Sequence, residues 1–168
     1  MKEMNRREFL TLTGAAVVAL SLAGCGAPSA PPAAPTGKEA KVLEAINKYR
    51  GALPPLTPDS GLDPAMEIVM KLTKGEMKFD EEAMKALAKA EAGYDGVCAP
   101  IGIAFDKDTG NMMPVCVYTE TVDLLVNNLS MLDEENQTSL KSASLIAIQL
   151  FEYGGVKYWV AVAAKGKK

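Results

Sequence analysis

Ser144-Leu145-Ile146-Ala147-Ile148-Gln149-Leu150-Phe151-Glu152-Tyr153, then Gly154-Gly155, then Val156-Lys157-Tyr158-Trp159-Val160-Ala161-Val162-Ala163-Ala164 reads as a strand, a two-residue turn and a returning strand. The glycine pair supplies the positive φ angles that tight hairpins need. Side chains alternate along a strand. Ile146, Ile148 and Leu150 therefore point one way, and Leu145, Ala147 and Phe151 the other. On the return strand Val156, Tyr158, Val160 and Val162 oppose Trp159, Ala161 and Ala163. Both faces are apolar, so both must be covered. With helical segments upstream, the expectation is an α+β fold: a three-layer α-β-α sandwich ending in an antiparallel hairpin.

The upstream segments supply the helices. Val42, Leu43, Ile46 and Tyr49 recur at helical spacing over 38–50. The prolines at 54, 55 and 58 stop that helix. Asp63-Pro64 starts a second, with Met66, Val69, Met70 and Leu72 inward and Gly75 at its end. Asp80-Glu81-Glu82 starts a third, with Met84, Leu87 and Ala88 expected inward and Gly93 as the stop. Residues 101–105 form a predicted strand, Asp106 to Asn111 a turn, and Pro114 to Tyr118 a return strand. A helix is expected over Thr119 to Met131, with Val122, Leu125, Val126 and Leu129 on one side. Asp133-Glu134-Glu135-Asn136 reads as a polar connection.

The N-terminus is an export signal in pattern. Arg6-Arg7 with Phe9-Leu10 resembles the twin-arginine motif, although Thr11 stands where a basic residue is usual. An apolar run to Ala23 is too short for a stable membrane span. Leu22-Ala23-Gly24-Cys25 resembles a lipobox, with small residues ahead of the cysteine that takes the lipid. The expected organisation is a signal peptide over 1–24, an Ala/Pro-rich tether over 25–37 and one domain over 38–168. Lipid on Cys25 would hold the protein on the extracytoplasmic face of the cell membrane, each buried CH₂ adding about 0.8 kcal/mol.

The sequence has 168 residues, with 18 basic and 21 acidic side chains. Removing the signal takes three basic and two acidic residues, leaving a net charge of −4. That balance argues against nucleic acid as a partner. No histidine occurs anywhere in the chain. Ser-His-Asp and Cys-His machinery and His-ligated zinc are therefore excluded. Of three cysteines, Cys98 and Cys116 remain once Cys25 is lipidated. In an oxidising compartment they are expected to form a disulfide. It would close a loop worth about 3 kcal/mol in the chain-entropy picture. Two buried thiols are the other reading.

Val42-Leu43-Glu44-Ala45-Ile46-Asn47-Lys48-Tyr49-Arg50, then Leu53-Pro54-Pro55-Leu56-Thr57-Pro58-Asp59 and Leu62, resembles the opening of the CAP superfamily of secreted proteins. The closing hairpin around Gly154-Gly155-Val156-Lys157-Tyr158-Trp159-Val160 is similar to that family's last hairpin. The resemblance implies an α-β-α sandwich with a central cleft. Members often place two histidines and two acidic residues there, sometimes around a divalent metal. Here the corresponding stretches are Thr73 to Glu76, Asp133 to Asn136, and Ala99 to Ile101, which hold no histidine, and the last no acid either. No family site residue carries over, so neither a metal nor a cofactor is expected.

Three further features have plain readings. Asp106-x-Asp108-x-Gly110-Asn111 partly resembles a calcium loop but lacks the downstream glutamate at the right distance. Met112-Met113 with the two cysteines offers soft sulfur, yet packing and a disulfide account for them. Trp159 is expected in the core. The sequence thus predicts a non-catalytic binding or interaction module, its ligand being a lipid, a cell-wall fragment or a partner protein by family analogy. The alternatives are an envelope enzyme working through carboxylates or a thiol, which needs paired acids with divergent pKa values, and a purely structural envelope lipoprotein.

Overall fold

The computed structural model describes residues 35–97, 100–106 and 108–167. Cys25 and Cys98, the signal segment and most of the tether lie outside the described residues. In chain order the elements are helix α1 (Lys38–Arg50), strand β1 (Thr57–Pro58), a 3₁₀ turn (Ser60–Leu62) and helix α2 (Asp63–Thr73). Helix α3 (Glu81–Glu91), strand β2 (Tyr94–Val97), and strands β3 (Ile103–Asp106) and β4 (Asn111–Pro114) follow. Helices α4 (Val122–Ser130) and α5 (Glu134–Ser142) lead to strands β5 (Leu145–Tyr153) and β6 (Val156–Lys167). The fold is mixed α+β. Among the described residues no helix is long and apolar enough to cross a membrane.

The closing hairpin is the spine of the molecule. β5 and β6 pair antiparallel from Leu145↔Ala164 to Tyr153↔Val156. Gly154 and Gly155 turn it with φ of 58° and 78°. The main sheet runs β1-β5-β6-β2. The alternation of the hairpin sorts the core into two. Ile146, Trp159, Ala161 and Ala163 pack with Val42 and Ile46 of α1, Leu125 and Leu129 of α4, and Leu140 of α5. Ala147, Phe151, Val160 and Val162 pack on the other side with Met66, Val69 and Met70 of α2. Each fully buried aliphatic side chain contributes about 2 kcal/mol. Trp159 is wholly buried, as expected, although its indole N–H has no acceptor.

Two short features place the helices. Asn47 Oδ1 accepts from the Leu56 amide at 3.0 Å, holding the proline-rich turn against α1. The buried Arg50 guanidinium donates to the carbonyls of Leu140 (3.1 Å), Ala143 (2.6 Å) and Pro54. Arg50 thereby caps the C-terminal end of α5, whose last carbonyls have no partner within the helix.

The edge of the sheet beside β6 is built from one interrupted strand. β2 covers Ala164 to Lys167, Ile101 bridges to Ala161, and Val117 bridges to Tyr158. Between Ile101 and Val117 the chain leaves the sheet to form the β3–β4 hairpin. Gly102 stands where it leaves, with φ +91° and the Trp159 carbonyl only 2.7 Å from where a Cβ would sit. No other residue fits that position.

Four expectations are corrected. Asp133 to Asn136 is not a loop: Asp133 accepts from the Asn136 amide at 2.7 Å and caps α5. The helix hides from pattern reading because only Asn136 and Leu140 are buried in it. The return strand lies earlier, at Asn111–Pro114, because Asp106 pairs directly with Asn111. α4 begins at Val122 rather than Thr119. In α3 the fully buried residue is Ala83 and Leu87 packs half-buried against the core, while Met84 is 49% exposed and Ala88 faces outward. The small Ala83 side chain lets α3 lie close to α2, which turns the methionine out. β2 gave no sign in the sequence, its pattern being Tyr-Asp-Gly-Val.

Candidate functional site: the groove beside Asn136

β3 and the corner between α4 and α5 enclose two adjoining cavities. One is about 310 Å³ and reaches Val115, Cys116 and Met131. The other is about 410 Å³ and reaches Pro100, Phe105 and Met112. Ile103, Ala104, Asp133 and Asn136 border both. The outward Met131 is 84% exposed at the rim. The walls are mostly apolar, with the carboxylates of Asp133 and Glu135 among them, and among the described residues no lysine or arginine borders either cavity.

Asn136 is the unusual member. It is 8% exposed, and its Nδ2 donates to Asp133 Oδ2 at 2.8 Å. Those bonds orient the amide and leave its Oδ1 buried with no donor. A buried acceptor left unmade costs about 1–3 kcal/mol. Such a group in a native fold calls for a water, an ion or a ligand. The sequence reading placed Asn136 in a connecting loop. The signal that could have found it is Asp133 as an N-cap followed by Glu134 and Glu135 in the first turn.

The residues singled out in the sequence are not gathered in one place. Thr73 is buried, and its hydroxyl donates to the Val69 carbonyl at 2.8 Å. Leu72 and Gly75 border a separate cavity of about 360 Å³, and Met112 stands between it and the groove. Phe79 and Phe105 touch beside it, ring centres 4.8 Å apart. The stretches Thr73 to Glu76 and Asp133 to Asn136 thus border different cavities. Cys116 is a buried thiol, pushed up to about 12 by burial. Its Sγ lies 3.6 Å from where a Gly102 Cβ would sit. Asp106 is the anchor of its own turn: it accepts from the Asp108 amide at 2.9 Å and the Thr109 hydroxyl at 2.7 Å. Those bonds hold its carboxyl below the usual range. Among the described residues no cluster of three or more acidic or thiol side chains could hold a metal.

A second polar cluster lies at the far end of the sheet. Asp59, 6% exposed, accepts from the Gly61 amide (3.0 Å), the Tyr94 hydroxyl (3.2 Å) and the Lys167 ammonium (3.0 Å). Burial alone would raise its carboxyl; Lys167, Gly61 and Tyr94 outweigh that and hold it below the usual range. All its partners are protein groups, so it reads as a structural clasp.

No family model, no curated protein and no solved structure matches this chain.

Proposed function

We propose that this chain is an exported lipoprotein, anchored in the cell membrane through lipid on Cys25 and carrying a non-catalytic binding domain over 38–168 on the extracytoplasmic side. The domain is read as a three-layer α-β-α sandwich of CAP type. Core packing on both faces of the hairpin supports that architecture. So does the bonding of Asn47 and Arg50, which lie in the stretch 42–59 that resembles that superfamily's opening. The observation that carries the binding role is the largely apolar groove between β3 and the α4–α5 corner, bordered by Ile103, Ala104, Val115 and Leu132 with the buried Asn136 in its wall. A ligand with an apolar body would fill that groove. By family analogy it is a lipid, a cell-wall fragment or a partner protein. A net charge of −4 on the mature chain speaks against nucleic acid. An enzyme using a thiol is disfavoured, since Cys116 is buried and its thiol resists ionisation.

Native mass spectrometry of the full chain purified from its own host's membranes tests this reading. A bound species is expected with the natural sequence and not with Ala104→Trp, which fills the groove from an exposed position. Equal retention by both chains, or no adduct with either, overturns the groove as the binding site.

A further inference from the structure

The other edge of the sheet is open. β1 covers only Leu145 and Ile146 of the nine-residue β5. Beyond Ile146 no strand pairs with that edge among the described residues. The register says which groups are left over. Thr57 donates to the Ser144 carbonyl and Asp59 to the Ile146 carbonyl, both at 2.9 Å. Even-numbered residues of β5 thus turn their backbone outward, and alternation puts the N–H and C=O of Ile148, Leu150 and Glu152 on the free edge. The usual protections of an edge are missing, since β5 has no proline, no lysine and a single charge, Glu152. That charge faces Lys157 directly across the hairpin. A hollow of about 170 Å³, bordered by Pro58 and Ile146 to Ile148, opens where β1 stops.

We propose that this edge pairs with the same edge of a second copy, β5 against β5, antiparallel about a two-fold axis at Leu150. In that register Leu150 faces its own counterpart and Ile148 faces Glu152, so every pair offers a donor and an acceptor from each side. The contact is self-complementary, as a two-fold interface must be. Glu152 meets Ile148 of the other copy and not its own counterpart, so this register sets no like charges directly opposite. Pro35, at the root of the tether, borders the hollow beside this edge. Anchoring copies in one membrane would confine them to a surface, which raises the effective concentration of a contact this small. That last step rests on the lipid-anchor reading; the open edge does not.

Amide exchange, read by NMR on the full mature chain in detergent at rising protein concentration, tests the pairing. The amides of Ile148, Leu150 and Glu152 are expected to slow by at least about tenfold as the dimer forms. Those of Gln149 and Phe151, bonded to β6, should stay protected throughout. Leu150→Lys should abolish the concentration dependence with the circular dichroism unchanged, while Met113→Lys, on the far hairpin, should not. Fast exchange at every concentration overturns the proposal. So does protection that is already complete in dilute monomer, or that Leu150→Lys leaves intact. Loss of the effect only when Cys25 carries no lipid would count against the anchor's contribution and leave the edge pairing standing.

Discussion

The phenol of Tyr94 donates to the Asp59 carboxylate at 3.2 Å, although the two residues belong to opposite edges of the sheet. Asp59 follows β1, Tyr94 opens β2, and β5 and β6 run between them. Gly61 makes the approach feasible: a Cβ there would stand 2.1 Å from the Tyr94 hydroxyl.

This clasp gives stability a dependence on pH at both ends. The Asp59 carboxyl sits below its ordinary value. Its contribution is complete above about pH 3.9 and is lost as pH falls through the lower folded value. Tyr94 is pushed up to about 12, first by burial and then by the Asp59 charge. Its contribution is complete below about pH 10 and is lost as pH rises toward the folded value. Urea midpoints across pH should fall at both extremes. Asp59→Asn should flatten the acid limb and Tyr94→Phe the alkaline one; unchanged limbs would dismiss the clasp.

Arg50 holds four carbonyls, those of Pro54 in the next turn and of Leu140, Lys141 and Ala143 some ninety residues on. Arg50→Ala leaves them buried without donors and should cost about 2–4 kcal/mol in urea unfolding. Arg50→Lys should recover less than half of that, because an ammonium lacks the planar fork.

Gly102→Ala adds a methyl against the Trp159 carbonyl in a left-handed backbone. A loss of about 2–4 kcal/mol is expected. Gly110→Ala, at φ +70° with nothing within 4 Å, should cost no more than about 1 kcal/mol. Thermal melts of the pair separate close approach from backbone strain.

Cys116 should resist alkylation in the native protein at pH 8, being buried and far from ionisation. Its proposed pairing with Cys98 is tested by mass spectrometry after denaturation without reductant. Alkylation of Cys116 as soon as the chain unfolds is expected of the free thiol; protection of both cysteines until reductant is added would establish the disulfide instead. Immediate alkylation of Cys116 would remove the disulfide.

The sequence made the hairpin readable because β5 and β6 are long, apolar on both faces and joined by two glycines. α2 was readable from Pro64 and a clear apolar stripe. α5 was not, because it buries little and its capping aspartate looks like loop chemistry. β2 was hidden by Asp95 and Gly96, which a strand tolerates only where a neighbour supplies the pairing. The groove was unreadable for a deeper reason. Its walls come from β3 and from the α4–α5 corner, and only tertiary packing decides that Asn136 lacks a donor. Asn47 and Arg50 make the bonds that fix the N-terminal helix to its turn and to α5, and nothing in their spacing announced those partners.

The interrupted strand from Tyr94 to Val117 has its own consequence. The sheet takes its hydrogen bonds from Ile101 on one side and from Cys116 to Tyr118 on the other, so the excursion between them is an insertion in the edge. A foreign loop of similar end-to-end reach, grafted between Ile103 and Cys116, both of which the core holds, would keep the scaffold and change what the groove meets. The same architecture would let related chains vary this stretch in length while their sheets stay superimposable.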